Sequence, residues 1–211
     1  MTGIQLAASL FSVAYGVYAC LRNRQPLFFK ILLYGMVSYL FGTLFITCYA
    51  IVHETAPGGF HVGYFGHIGF YFFLLSSYYG AIDRLADGGE KEYRPIRRAA
   101  AIPLLVPAGL FIWSMKETGF GASFPYLLLL LPMALTLYFA GKHLVFPDVE
   151  LGIIRVMRPY NAAVILFCAA ELPGQFTFLP ETVRTVSTAL SCLFLILLLP
   201  LAEKGVRKWF I

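Results

Sequence analysis

TVSTALSCLFLILLLPLA, residues 185–202, runs without one charged side chain between Arg184 and Glu203. A helix rises 1.5 Å per residue and a bilayer's hydrocarbon core is about 30 Å thick, so about 20 mostly apolar residues cross it. This stretch has that length, and the same reading extends back along the chain. Apolar runs separated by polar or Pro/Gly punctuation predict spans at residues 3–21, 28–52, 61–82, 98–115, 124–142, 159–179 and 184–203. Arg22 to Pro26 stops the first run, Ala56 to Gly59 (APGG) breaks the chain after the second, and Asp87 to Pro95 forms the most polar loop.

Composition agrees. Of 211 residues 59% are hydrophobic, 17% aromatic and 13% charged, where a soluble domain carries about 25% charged residues. The mean hydropathy is +0.76. Little chain remains outside the spans, so the expectation is an all-α membrane protein: one seven transmembrane helix bundle over residues 1–211. Ile4 to Leu21 is long enough to span and no small-residue cleavage site follows it, which reads as a retained helix and not a removed signal.

The cations set the orientation. Arg22, Arg24, Lys30, Arg84, Lys91, Arg94, Arg97, Arg98, Lys142, Arg155, Arg158, Lys204, Arg207 and Lys208 fall on one side; of the 16 basic residues, Lys116 and Arg184 fall on the other. Short loops rich in Lys and Arg stay in the cytoplasm, so the N-terminus is expected outside and the C-terminus inside, in a multi-pass protein of the plasma (inner) membrane. The net charge of +5 then serves insertion and anionic lipid, and no aromatic-interleaved basic patch suggests nucleic acid. Membrane lipid is the first expected partner.

Cys20, Cys48, Cys168 and Cys192 all fall within predicted spans without CxxC spacing and read as small packing residues. Ala8, Ser12 and Gly16, then Ser38 and Gly42, then Gly59, Gly63, Gly66 and Gly69 around the third run, then Ala170 and Gly174 put small residues at helical spacing, where helices in lipid approach closely. That pattern fits internal packing and a homodimer face equally.

CAAELPGQF, residues 168–176, sets Glu171 in the sixth run, close to the middle of a helix over 159–179. A lipid-facing carboxylate there costs a few kcal/mol or more, so Glu171 faces the bundle interior, is protonated, or is solvated by a cavity. Gln175 stands one turn outward on the same face, and Pro173 leaves the Ala169 carbonyl without its helical donor. A carboxyl, an amide and a freed carbonyl within one turn are the materials of a substrate or ion site. Thr43 and Thr47 on the second helix, Ser187 and Ser191 on the seventh, and Tyr64, His67 and Tyr71 on the third are the expected companions, lining a cavity open to the outside.

His53, His61 and His67 with Glu54 gather around one outer loop. Imidazole ligates metals and haem, but HEXXH and CxxC spacings are absent, so no metal and no cofactor is assigned. His143 lies at the opposite end.

Catalytic motifs are absent too: no GxSxG, no paired aspartates within a span, no Gly-rich phosphate loop before a lysine. The layout resembles retinal-binding rhodopsins in helix number, yet residues 185–202 offer no lysine for a Schiff base. It is similar also to the seven-span sensor regions that precede bacterial kinases, although no kinase follows Ile211. The expected function is receptor-like or sensor-like: a small apolar or amphipathic ligand bound near Glu171, with a cytoplasmic signalling partner. The alternative is a small transporter or proton-coupled carrier in which Glu171 titrates; an intramembrane enzyme or haem protein stands behind both.

Overall fold

A computed structural model describes residues 2–55, 57–79, 90–147, 152–176 and 178–210, and the described residues form seven helices and no strand. In chain order these are α1 (Thr2–Arg22), α2 (Leu27–His53), α3 (Gly63–Ser77), α4 (Lys91–Thr118), α5 (Phe120–Val145), α6 (Ile153–Gly174) and α7 (Glu181–Phe210). Five of them, α1, α2, α4, α5 and α7, are long and apolar enough to cross a membrane, which marks a multi-pass integral membrane protein. α3 is described over 15 residues, and α6 carries Arg155, Arg158 and Glu171. Asp83, Arg84 and the start of the Asp87 to Pro95 loop lie outside the described residues.

Local chemistry sets the helix boundaries. Pro26 precedes the first residue of α2, where its missing N–H is harmless, and Glu54 ends that helix in the left-handed region at φ 56°. Gly119 alone joins α4 to α5, at φ 84° and ψ 161°, a conformation open in practice to glycine alone. α5 therefore starts at Phe120, earlier than the expected 124. α4 begins at Lys91 as a 3₁₀ turn and tightens again at Ile102–Leu104, where Pro103 interrupts the regular ladder.

α6 stops at Gly174, short of the expected 179. Pro173 cannot donate, and the chain turns through Gln175 N–H to the Leu172 carbonyl (3.2 Å) and Phe176 N–H to the Pro173 carbonyl (3.3 Å). α7 instead runs past the expected 203. There the Glu203 carboxylate accepts from Tyr15 of α1 (2.5 Å), from Gln25 (3.2 Å) and from Arg207 (2.6 Å), so the Glu203 and Arg207 charges are paired within the helix.

Packing closes a ring in the order α1, α2, α3, α5, α6, α7 and back to α1, with α4 outside against α5. α2 and α3 meet backbone to backbone. A Cβ on Gly66 would lie 2.5 Å from the Gly42 nitrogen and 2.6 Å from both Gly42 Cα and the Ser38 carbonyl, and Ser38 Oγ donates to the Gly66 carbonyl at 2.9 Å. The small-residue pattern on these two helices is thus spent on internal packing. Ser12 does likewise between α1 and α7, donating to the Leu195 carbonyl at 3.2 Å. The core between the helices is aromatic: Phe29, Tyr39, Phe70, Tyr71, Tyr78, Tyr160 and Phe167 are all buried.

The helix ends sort as antiparallel packing requires. Asn23 reaches Arg207, Arg158 reaches the Phe146 carbonyl (3.5 Å), the Tyr93 and Phe146 rings lie 4.8 Å apart, and Lys142 sits over Phe146 (5.7 Å). One end of the bundle therefore gathers the cations and the other carries Gln5, His61 and Gln175.

Candidate functional site

Glu171 is 2% exposed, and its Oε1 accepts two hydrogen bonds: from the Tyr39 hydroxyl of α2 at 3.1 Å and from Gln175 Nε2 at 3.0 Å. The second is the same-face pair that the spacing of four predicts. On α7, Ser191 stands beside the carboxyl while its hydroxyl donates to the Thr188 carbonyl at 3.0 Å. Glu171 is not at the middle of its helix, as expected from a span over 159–179, but in the last turn, because α6 ends at Gly174. It is deep all the same. Its partner Tyr39 is near the centre of the 27-residue α2, about 20 Å from either end at 1.5 Å per residue. Phe176, just beyond the end of α6, is buried as well. Irregular backbone at such a depth is tolerated where it is buried in protein or lines a cavity.

A cavity does lie here, of about 130 Å³. α1 contributes Gln5; α2 contributes Ile46; the α2–α3 loop and α3 contribute His61, Tyr64 and His67; α6 and its end contribute Glu171, Gly174 and Gln175; α7 contributes Thr188. Gln5, His61, Gln175 and Thr188 lie toward the end of the bundle opposite the cations, so the space runs from Glu171 toward that end. Gln175 also borders a second space of about 100 Å³ lined by Ser114, Thr118 and Tyr126, where Ser123 Oγ lies 3.0 Å from Ser114 Oγ and 2.9 Å from Thr118 Oγ1.

His67 is the least satisfied member. It is 4% exposed, its ring stacks on Tyr39 at 4.4 Å and 5°, and both ring nitrogens are buried without a hydrogen-bond partner among the described residues. Each such orphan costs about 1–3 kcal/mol. His61, in the loop outside the helices, packs on Tyr64 at 4.6 Å, and burial holds its imidazole pKa below the ordinary 6.5. Two of the three outer histidines thus share the cavity with the carboxylate. His53 does not: it is exposed and stacks on Tyr49 at 4.3 Å. Among the described residues no three His, Cys, Asp or Glu side chains form a metal-binding group.

The remaining expected residues divide. Tyr64 lines the cavity and Ser191 touches the carboxyl. Thr43 and Thr47 are buried but bond their own helix, to the Tyr39 carbonyl at 2.6 Å and the Thr43 carbonyl at 2.8 Å, the usual fate of hydroxyls in such helices. Ser187 is buried outside the lining, and Tyr71 lies deeper, beside Phe70 and Phe167. Tyr39, Gln5 and Thr188 are the members that sequence patterning missed. Tyr39 is central, since it joins the carboxylate to the stacked imidazole. The one sequence signal for it is its place one residue after Ser38, on the helix whose Gly42 marks a close crossing.

No protein-family model, no curated protein and no solved structure matches this chain.

Proposed function

We propose that this chain is a seven-helix integral membrane protein, receptor-like or sensor-like, with its N-terminus outside, and that it holds a small amphipathic ligand in the cavity at Glu171. The observation that carries the reading is that the Glu171 carboxyl and His67, whose two ring nitrogens are unpartnered, line one cavity of about 130 Å³. A ligand with a donor for Glu171 and a complementary group for His67 would satisfy both and recover their cost of burial. The lining contains one purely apolar side chain, Ile46, which favours an amphipathic or polar molecule over a wholly apolar one. A cytoplasmic partner would read out the occupied state through the basic end.

Mass spectrometry of the protein released from mild detergent tests this directly. The wild type retains a small molecule; Glu171→Gln and His67→Leu, both still folded by circular dichroism, lose it. A wild type that carries nothing and is not stabilised by an extract of its own membranes refutes the reading.

A second reading rests on a separate observation. Below Glu171, Tyr71 has a buried hydroxyl without a partner, and further along the Tyr78 hydroxyl donates to Asn161 Oδ1 at 2.9 Å while Asn161 Nδ2 is unpartnered. Polar groups spaced through the core favour a proton-coupled carrier. In proteoliposomes such a carrier acidifies the lumen with its substrate, and Glu171→Gln abolishes the proton movement.

A further inference from the structure

At the cation-rich end, α6 and α7 part to form a cleft of about 300 Å³ lined by Arg155, Val156, Pro159, Leu201, Lys204 and Gly205. Its position follows from Gly205. A Cβ there would collide with Met157 Sδ, so the helices touch at this glycine and diverge beside it. The two cations flank the opening from different helices, both exposed, and neither has an acidic partner among the described residues. The acid that could have neutralised Lys204 is committed elsewhere: Glu203 is turned to α1, held by Tyr15, Gln25 and Arg207. The end of α7 thus presents a neutralised face to α1 and an uncompensated charge to α6. Between the cations the floor is apolar, from Val156, Pro159 and Leu201.

We propose that this cleft binds a phosphate group, with that of an anionic lipid headgroup as its expected source. A guanidinium and an ammonium on opposite walls suit a phosphodiester, Arg through paired donors and Lys as a point charge. The apolar floor suits the glycerol and first methylenes of a lipid, and basic pockets between helices at a cytoplasmic face have this chemistry. The site is separate from the Glu171 cavity and does not depend on any ligand there.

The test uses the full chain in neutral detergent, titrated with dioleoylphosphatidylglycerol, with dioleoylphosphatidylcholine, and with inorganic phosphate. Thermal midpoint and lipid retention in native mass spectrometry are read. The wild type is expected to gain stability with phosphatidylglycerol and not with phosphatidylcholine. Each basic residue contributes about fivefold in affinity for an anionic surface, so Arg155→Gln with Lys204→Gln weakens the half-saturating concentration about thirtyfold. Arg155→Lys retains most of the effect, and Lys116→Gln, at the other end, leaves it unchanged. If inorganic phosphate gives the same shift and the double variant loses it, the cleft stands with a soluble phosphate as its ligand. An equal response in wild type and double variant, or none to any phosphate, overturns the proposal.

Discussion

Replacing Glu171 by leucine isolates what the carboxyl does for the fold. The substitution deletes the acceptor of two buried donors, the Tyr39 hydroxyl (1% exposed) and Gln175 Nε2. Each donor left unpaired costs about 1–3 kcal/mol, so the sum is about 2–6 kcal/mol. Gln175 borders two cavities and can turn its amide, which places the expected loss in the lower half of that range. Glu171→Gln keeps shape and an acceptor oxygen, and is expected within about 1 kcal/mol of wild type. Tyr39→Phe removes a donor without orphaning the carboxyl, which still has Gln175, and costs about 0.5–1.5 kcal/mol. The two positions should couple: in a Tyr39→Phe background, Glu171→Leu orphans one donor instead of two, so the double variant is more stable than the sum of the singles by about 1 kcal/mol. Thermal midpoints in detergent, followed by far-ultraviolet circular dichroism, and a dodecyl sulfate titration supply the numbers. Additive effects of Tyr39→Phe and Glu171→Leu, or leucine matching glutamine at position 171, refute the claim that the Tyr39 bond holds α2 to α6.

Gly66→Ala forces a Cβ onto the backbone of Gly42 and Ser38, so the helices must separate, and a loss of about 3 kcal/mol or more is expected; Gly109→Ala, with nothing within 4 Å of its Cβ, should be neutral or gain up to about 1 kcal/mol. Equal melting temperatures for the two refute the close crossing. His61 has a folded pKa below the unfolded 6.5, so the unfolded chain binds more protons. Its contribution is therefore flat above pH 6.5 and becomes destabilising as pH falls below it. His61→Gln should flatten the decline in melting temperature between pH 7 and 5, and an unchanged slope counts against a buried imidazole there. In a Cys48→Ala background, cysteine at Gly58 should react with an impermeant thiol reagent on intact cells while cysteine at Glu92 should not; the reverse pattern inverts the orientation.

Much of this was legible because lipid simplifies the code. Length and hydropathy alone predict helices, and a carboxylate within an apolar run marks a candidate, so the contact of Glu171 with its neighbour four residues on, Gln175, could be read from spacing. What sequence does not carry is which helix faces which. Tyr39 touches Glu171 across a separation of 132 residues, and no local pattern on α2 points to that partner. Thr43 and Thr47 mislead for the complementary reason: a hydroxyl that bonds its own backbone has the same spacing as one that lines a cavity. Helix ends drifted where a local rule was overruled. Glu203 and Arg207 look like the interfacial end of α7 until Tyr15 of α1 and Gln25 of the α1–α2 loop meet the carboxylate.

The charges of α6 bear on how the bundle is assembled. α6 carries Glu171 but also Arg155 and Arg158, and it packs most extensively on α7, whose mean hydropathy of 2.2 over its most apolar stretch is the highest of the five. Arg155 and Arg158 lie in the first two turns of α6 and Glu171 in its last, so its charges sit toward the helix ends and its apolar middle packs within the bundle. Packing against α7, its most extensive neighbour, is what seats α6 in the bundle. A variant chain truncated before Glu181 lacks the partner that seats α6 and the Thr188 wall of the cavity, so the cavity is expected not to form.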